Sequence, residues 1–461
     1  MDAELVAAGV TSGEALHSIP VLFTLPFGAM LLSIAVLPLA APHFWESNRN
    51  KLLVALGWGL PVAALLVFRF GAHGMEWLVH SLEEYAAFIS LLAALFVISG
   101  GVYLRGSLAG TPLTNTGFLA IGALLASFVG TTGASMLLIR PLLRANGPRQ
   151  RKAHIVIFFI FIVANGGGML TPLGDPPLFL GFLRGVPFLW TFRLFLPWAM
   201  VNALLLILFN LVDQKVLDRE EKERPGSQLE EVQKVKEPLR IQGRRNFVYL
   251  LGVIAVIFLM GTYGHRFLPD PRLQLAAQVA GMLAMGVLSL VTTPKAYRAA
   301  NRFTWHPIIE VAYLFLGIFL TMIPALRLLE SRGGALGIDS PWQFFWATGL
   351  LSSFLDNAPT YLTFASLAVG VVNGIHAGAG LTADFLGGLL RYPEGVRFLT
   401  AISCGAVFMG ANSYIGNGPN FMVKSIAEEN GVRMPSFFGY MAWSGAILIP
   451  IFAVVTLVFF R

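Results

Sequence analysis

The sequence predicts an all-α integral membrane protein of two inverted repeats, each with five transmembrane helices plus one re-entrant hairpin, and with helices broken at the membrane midplane. Three observations predict it. Of 461 residues, 56% are hydrophobic and only 12% charged, with a mean hydropathy of +0.70, whereas soluble domains carry about a quarter charged residues. Apolar runs of about 20 residues, enough to cross a bilayer as helix, recur along the whole chain, where a barrel would show short alternating segments. Glycines, prolines and polar side chains interrupt those runs at corresponding places in the two halves.

The N-terminal tail, residues 1–20, carries Asp2, Glu4 and Glu14 but no Lys or Arg, so it lacks the basic start of a cleaved signal peptide. Membrane repeat 1 spans residues 21–212, with apolar blocks at 21–41, 52–71, 84–104, 117–146, 154–188 and 190–212. Residues 213–245 hold nine basic and eight acidic side chains and are read as a charged, solvated cytoplasmic linker with some amphipathic helical character. Membrane repeat 2 spans 246–460, with blocks at 246–266, 272–293, 307–330, 342–372, 396–430 and 435–460. Lys and Arg cluster at 49–51, 144–152, in the linker and at 293–302; placing these in the cytoplasm puts the N-terminus outside, although Arg327, Arg332 and Arg391 then fall on the outer side. The topology closes only if 117–146 is a hairpin from the cytoplasmic side, turning within FVGTTGAS (128–135), and 342–372 one from outside, its tip near SSFLDNAPT (352–360). The expected location is the cytoplasmic (inner) membrane of a prokaryote. The net charge of +7 reads as loop charge setting orientation, not as nucleic-acid binding, and the single Cys404 excludes an internal disulfide framework.

Each half contains two interruptions: GTTGAS (130–135) and ANGGGMLTPLGDPPLF (164–179) in the first, FLDNAPTYLTF (354–364) and GANSYIGNGPNFMVKS (410–425) in the second. Every backbone group freed in lipid costs several kcal/mol, so such backbone survives only inside protein or along a watery cavity. Four matched breaks therefore describe one polar cavity at the interface of the halves, as in secondary transporters. Asp175 and Asp356 both fall at predicted midplane breaks, one per repeat. An Asp at a helix centre in the bilayer costs at least about 2.5–3.5 kcal/mol, which favours occupancy of each carboxylate by a proton or a metal cation; both can also cap half-helices. Asn165, Asn357, Thr171 and Thr360 are candidate ion ligands beside them. Thr131, Thr132, Gly174, Asn412, Ser413, Asn417 and Asn420 are candidates for the substrate cavity, each able to serve as ligand or as helix-terminus hydrogen bonder. Arg140 and Lys424 follow the breaks and read as side chains snorkelling to the interface.

The breaks resemble those of the ion transporter superfamily, which includes divalent anion/sodium symporters, citrate–metal transporters, ArsB arsenite carriers and NhaD-type sodium/proton antiporters. GGGMLTPLGDPPLF resembles the family's glycine-rich loop with its Thr-Pro-x-Gly-x-Pro-Pro pattern, and GNGPN (416–420) its partner in the second repeat. The tips GTTGAS and LDNAPT stand where the superfamily carries Ser-Asn-Thr hairpin signatures and keep neither triplet, which speaks against dicarboxylate binding. NhaD-type antiporters have an Asn before the glycines and a Gly-Asp in this loop, matched by Asn165 and Asp175. Their Asp-Asn pair sits in the first hairpin tip, whereas here Asp356-Asn357 lies in the second. The chain also resembles a group described as citrate transporters. The resemblance implies elevator-type alternating access and a homodimer.

The leading expectation is sodium (or lithium)/proton antiport, with Na⁺ and H⁺ competing for Asp175 and Asp356. The alternative is sodium- or proton-coupled transport of citrate or another organic anion, and a weaker one is an arsenite carrier. An intramembrane aspartyl protease expects Tyr-Asp and Gly-x-Gly-Asp, whereas Leu355-Asp356 and Gly174-Asp175 occur here in the reverse order. No Walker A loop, zinc spacing or serine elbow is found, so no enzyme activity and no cofactor are expected beyond Na⁺ and H⁺ as transported or coupling ions. The expected partners are the lipid bilayer, small inorganic ions or a small organic anion, with no nucleic acid.

Overall fold

The computed structural model describes residues 20–107, 109–223, 237–332, 335–376 and 378–461. The predicted tail up to residue 19 and the predicted linker from 224 to 236 lie outside the described residues. Among those described, nine helices are long and apolar enough to cross a membrane, and the chain is an all-α membrane protein.

The first half runs through helix α1 (Leu25–Ala40), α2 (Asn48–Gly100), the arms α3 (Pro112–Val129) and α4 (Thr131–Ala145), the broken helix α5 (Ala153–Ile162) and α6 (Pro176–Leu183), and α7 (Phe195–Glu223). The second half runs through α8 (Arg245–Phe267), α9 (Pro271–Thr292), α10 (His306–Arg332), the arms α11 (Pro341–Ser352) and α12 (Asn357–Ile375), the broken helix α13 (Pro393–Met409) and α14 (Gly418–Glu429), and α15 (Phe437–Phe459). Proline opens α3, α6, α9, α11 and α13, where its missing N–H costs nothing and its fixed φ suits a helix. Side-chain caps complete several starts: Thr111 accepts from Thr114 N and Asp270 from Arg272 N.

Helix α2 is two antiparallel spans, and α10 shows it. In the first arm Lys51 pairs with Glu310 at 2.7 Å and Gly59 lies against Leu320, so the arm climbs alongside α10. In the second arm Phe88 packs on Phe315 at 4.7 Å and Trp77 under Arg327 at 5.2 Å, running the other way. The reversal falls at Gly71, whose φ of +56° and ψ of −125° suit only glycine. This places the two sequence blocks 52–71 and 84–104 on either side of one glycine turn.

Two groups of helices result. The first comprises α1, α2, α8, α9 and α10; the second comprises α3 to α7 and α11 to α15. They meet where α10 packs on α12 and α2 packs on α4 and α6. At the centre of the second group, α5 from His154 to Ile162 is buried on every side, as an all-round apolar helix must be. Helix α5 packs on α14 and α13 packs on α6, so the two broken helices cross antiparallel and bring their breaks together.

The stretch read as linker from 213 needs correcting at both ends. Helix α7 continues to Glu223, and Asp213 and Glu220 are buried in it. Their carboxylates hold Arg149 at 2.9 and 2.8 Å, and His154 lies 2.8 Å from Asp213. A charged run need not be solvated when the opposite charges arrive from residues far away in sequence. At the other end, strand β2 (Glu237–Gln242) pairs antiparallel with β1 (Tyr103–Ser107), which the apolar pattern does not reveal.

Gly71→Ala should destabilise the purified protein by about 1–3 kcal/mol, the cost of forcing a side chain into that backbone region. Gly57→Ala, with open space around its would-be Cβ, should leave the melting temperature in detergent unchanged or slightly raised. Equal melting of both variants would mean that α2 does not turn at Gly71.

Candidate functional site

Each hairpin tip and each break begins a new half-helix. Gly130, at φ +80°, separates α3 from α4, and Asp356 caps α12. In the first broken helix a 3₁₀ turn (Gly166–Met169) precedes Asp175, which stands at the N-cap position of α6 without a side-chain capping bond. In the second a 3₁₀ turn (Gly410–Asn412) precedes Asn417, which stands at the same place before α14.

The two breaks fold alike because the same atoms must approach. A Cβ on Gly174 would sit 2.2 Å from the Gly168 carbonyl oxygen, and one on Gly416 would sit 2.6 Å from that of Gly410. Thr171 donates to the Ser127 carbonyl and accepts from Leu173 N at 3.2 Å. Ser413 donates to the Ser353 carbonyl at 2.5 Å and accepts from Ile415 N at 3.2 Å. Thr171 and Ser413 are thus equivalent clasps between a hairpin and its broken helix, and Asp175 and Asn417 are equivalent positions. Thr131 N also donates to the Gly174 carbonyl at 2.8 Å.

Asp175 is the hub. Its buried carboxylate accepts from Thr131 Oγ1 at 3.0 Å, Asn357 Nδ2 at 2.5 Å and Asn417 Nδ2 at 3.3 Å. Thr131 opens α4, Asn357 opens α12, Asn417 precedes α14 and Asp175 itself precedes α6, so four half-helices present their N-terminal ends to one carboxylate. Each such end is equivalent to roughly half a positive charge. No basic side chain is among the contacts of Asp175; they are three neutral donors at helix N-terminal ends.

Behind Asn417 runs a chain of buried amides. Asn417 Nδ2 also donates to Asn165 Oδ1 at 3.1 Å, and Asn165 Nδ2 donates to Asn420 Oδ1 at 2.7 Å and to the Ile160 carbonyl at 2.8 Å. Asn420 is anchored in turn on the carbonyls of Gly410 and Ser413, at 2.8 and 2.9 Å. Asn412 donates to Ser353 Oγ at 2.8 Å. Among the described residues, Asn357 Oδ1 and Asn412 Oδ1 are buried without a partner.

A small, partly open cavity of about 70 Å³ reaches Asp175. Thr131, Thr132 and Gly174 line it with Asp175, and Phe88, Leu95, Phe96, Pro307 and Val311 form its apolar walls. Asp175 is the one charged side chain among its described lining residues.

Asp356 is placed differently. It is half-buried, its carboxylate accepts from Ala358 N at 3.0 Å, and its carbonyl accepts from Thr360 Oγ1 at 2.9 Å. It therefore caps the helix whose first residue, Asn357, touches Asp175, and it is not among the lining residues of the cavity. Lys424 pairs with Glu428 at 2.8 Å and lies over the Tyr414 ring; Arg140 is half-buried. Sequence reasoning passed over Ser127, Ser353, Trp198 and Asn202, the last two donating to the carbonyls of Gly167 and Gly166 at 3.2 and 3.1 Å. Ser127 and Ser353 carried a usable signal: each lies four residues before the side chain that its hairpin directs at Asp175.

Helices that span the membrane, broken helices crossing at a buried carboxylate and a cavity leading to it together define a membrane transporter. The chain belongs to the family described as "Putative citrate transport", which matches residues 16–460. No curated protein matches it.

Asn165→Ala removes two donated bonds and one accepted bond from this network. It should lower stability by about 2–3 kcal/mol, because buried partners are left unsatisfied, and so depress the melting temperature in detergent. An unchanged melt would show that the amide chain does not hold the breaks together.

Proposed function

We propose that the protein is a secondary active transporter that exchanges Na⁺ (or Li⁺) for H⁺ at Asp175. The observation that carries this reading is that Asp175 is the one charged side chain lining the cavity among the described residues. A cavity with a carboxylate and no basic group attracts cations and repels anions. A metal cation there has the Asp175 carboxylate and the Thr131 and Thr132 hydroxyls as oxygen ligands, the ligand type that hard cations take. When the cation leaves, the helix N-termini and the three donors sustain the ionised carboxylate until a proton takes its place. Mutual exclusion of proton and cation at one carboxylate is the whole chemistry of exchange.

Alternating access follows if the second group of helices, which holds both hairpins and both broken helices, moves as an elevator against the first. The antiparallel crossing of the broken helices supports two repeats of opposite sense, the arrangement on which such transporters rely. Asp356 serves this site by capping α12 and fixing Asn357.

A second reading, proton- or cation-coupled transport of citrate or another organic anion, has two supports. One is the family description. The other is the four N-terminal helix ends, which suit an anion once Asp175 is neutralised.

Proteoliposomes loaded with a pH-sensitive dye separate the two. Na⁺ or Li⁺ added against an imposed proton gradient should dissipate it without citrate; a signal that requires citrate would make the organic anion the cargo and antiport wrong. Asp175→Asn should abolish exchange with expression intact. Asp356→Asn should retain most of it, since Asn is nearly as good a cap as Asp, and its complete loss would assign Asp356 an ion-binding role instead.

A further inference from the structure

Six charged or titratable side chains gather at the end of α6 opposite Asp175. Arg184, 4% exposed, donates through Nε and Nη2 to Glu84 Oε1 and Oε2, both at 2.8 Å, and through Nη1 to the Ala383 carbonyl at 3.1 Å. Arg327 donates to Glu330 at 3.1 Å and to Asp384. His80 Nε2 lies 3.7 Å from Glu84 and 3.9 Å from Asp384. All of them but Glu330 line a small cavity of about 20 Å³ beside Trp77.

Glu84 and His80 belong to α2, and Arg327 and Glu330 to α10, all in the first group of helices. Arg184 ends α6 and Asp384 precedes the 3₁₀ turn Leu386–Arg391, both in the second group. The Glu84–Arg184 and Arg327–Asp384 pairs therefore cross the surface between the groups. Position along the spanning helices fixes their end. The larger cavity is lined by Pro307, Ile308 and Val311 of α10, whereas the cluster uses Arg327 of the same helix, roughly 24–30 Å further along at 1.5 Å per residue. In the second arm of α2 the same order holds, with Phe88 to Phe96 at the cavity and Trp77 to Glu84 at the cluster. At the cavity end the groups are joined by Arg302–Glu429, a 3.7 Å pair whose side chains are 65% and 53% exposed, of a kind that contributes little.

We propose that Glu84–Arg184 and Arg327–Asp384 form an ionic latch that closes the end of the transporter opposite the Asp175 cavity and positions α6. This rests on alternating access at Asp175, not on the identity of the cargo. Charges suit a seam that must open. Separating them in water restores the hydration that burial removed, so closed and open forms lie close in energy. Helix α6 carries Asp175 at one end and Arg184 at the other, so releasing the latch frees the element that bears the carboxylate.

The test is sided labelling. In a chain with Cys404→Ala and Val311→Cys, a membrane-impermeant maleimide should react rapidly from the cavity side of oriented membrane vesicles and slowly from the other. Glu84→Gln should raise the slow-side rate by about tenfold or more, as removal of one buried partner shifts the balance of closed and open forms. The charge swap Glu84→Arg with Arg184→Glu should restore the sidedness. Asp384→Asn, at the half-exposed edge of the cluster, should act in the same direction if Glu84→Gln does not fold. A lower melting temperature with unchanged sidedness would overturn the latch and leave these pairs only structural. Labelling is read without an ion gradient, so failure of Na⁺/H⁺ exchange and failure of the latch are separate results.

Discussion

A carboxylate buried among four helix N-termini is the constraint from which the rest of the architecture follows. Asp175 has no basic partner, so its charge must be met by backbone dipoles and neutral donors. Dipoles of that kind exist only where helices begin. Four helices can begin at one point inside the protein only if two spans are interrupted and two hairpins turn back on themselves. The glycines at 168, 174, 410 and 416 permit the close backbone passes that such interruptions need. Proline in the first helical turn and the Thr171 and Ser413 clasps accompany the restart of the helices.

The same economy separates the two groups of helices by purpose. In one group the helices run without a broken midpoint apart from the Gly71 turn, with close contacts made by residues such as Gly317 against Ala55. The other concentrates irregular backbone and buried amides around Asp175. Buried ion pairs within the second group, such as Arg149 with Asp213 and Glu220, tie the segment between α4 and α5 to α7. Those that cross between the groups lie at the end away from the larger cavity. Position, not number, distinguishes internal bracing from a contact that can be released.

Much of this was legible in the sequence because hydropathy and helix-breaking residues act locally. The apolar blocks and the breaks follow from where a chain can afford glycine, proline and Asn in lipid, and the Gly130 turn and the 163–175 interruption fall where that logic puts them. What escaped depends on distant partners. Nothing in the run 213–223 announces that Asp213 and Glu220 face Arg149, and nothing in 103–107 announces a pairing with 237–242. At the site, Asp175 and Asp356 look equivalent as midplane carboxylates. Only their surroundings separate a hydrogen-bonded hub that lines a cavity from a cap one residue away from that hub. The equivalence of Asp175 and Asn417 was likewise hidden, because breaks that share a backbone geometry need not share a side chain.

Competition between proton and cation for the Asp175 carboxylate can be measured directly. Addition of Na⁺ to the purified protein in weakly buffered detergent solution tests it without a membrane or a gradient. Protons should be released from the native chain as Na⁺ binds, and the Asp175→Asn chain should release none. Binding of Na⁺ without acidification, or equal release from both chains, would contradict it.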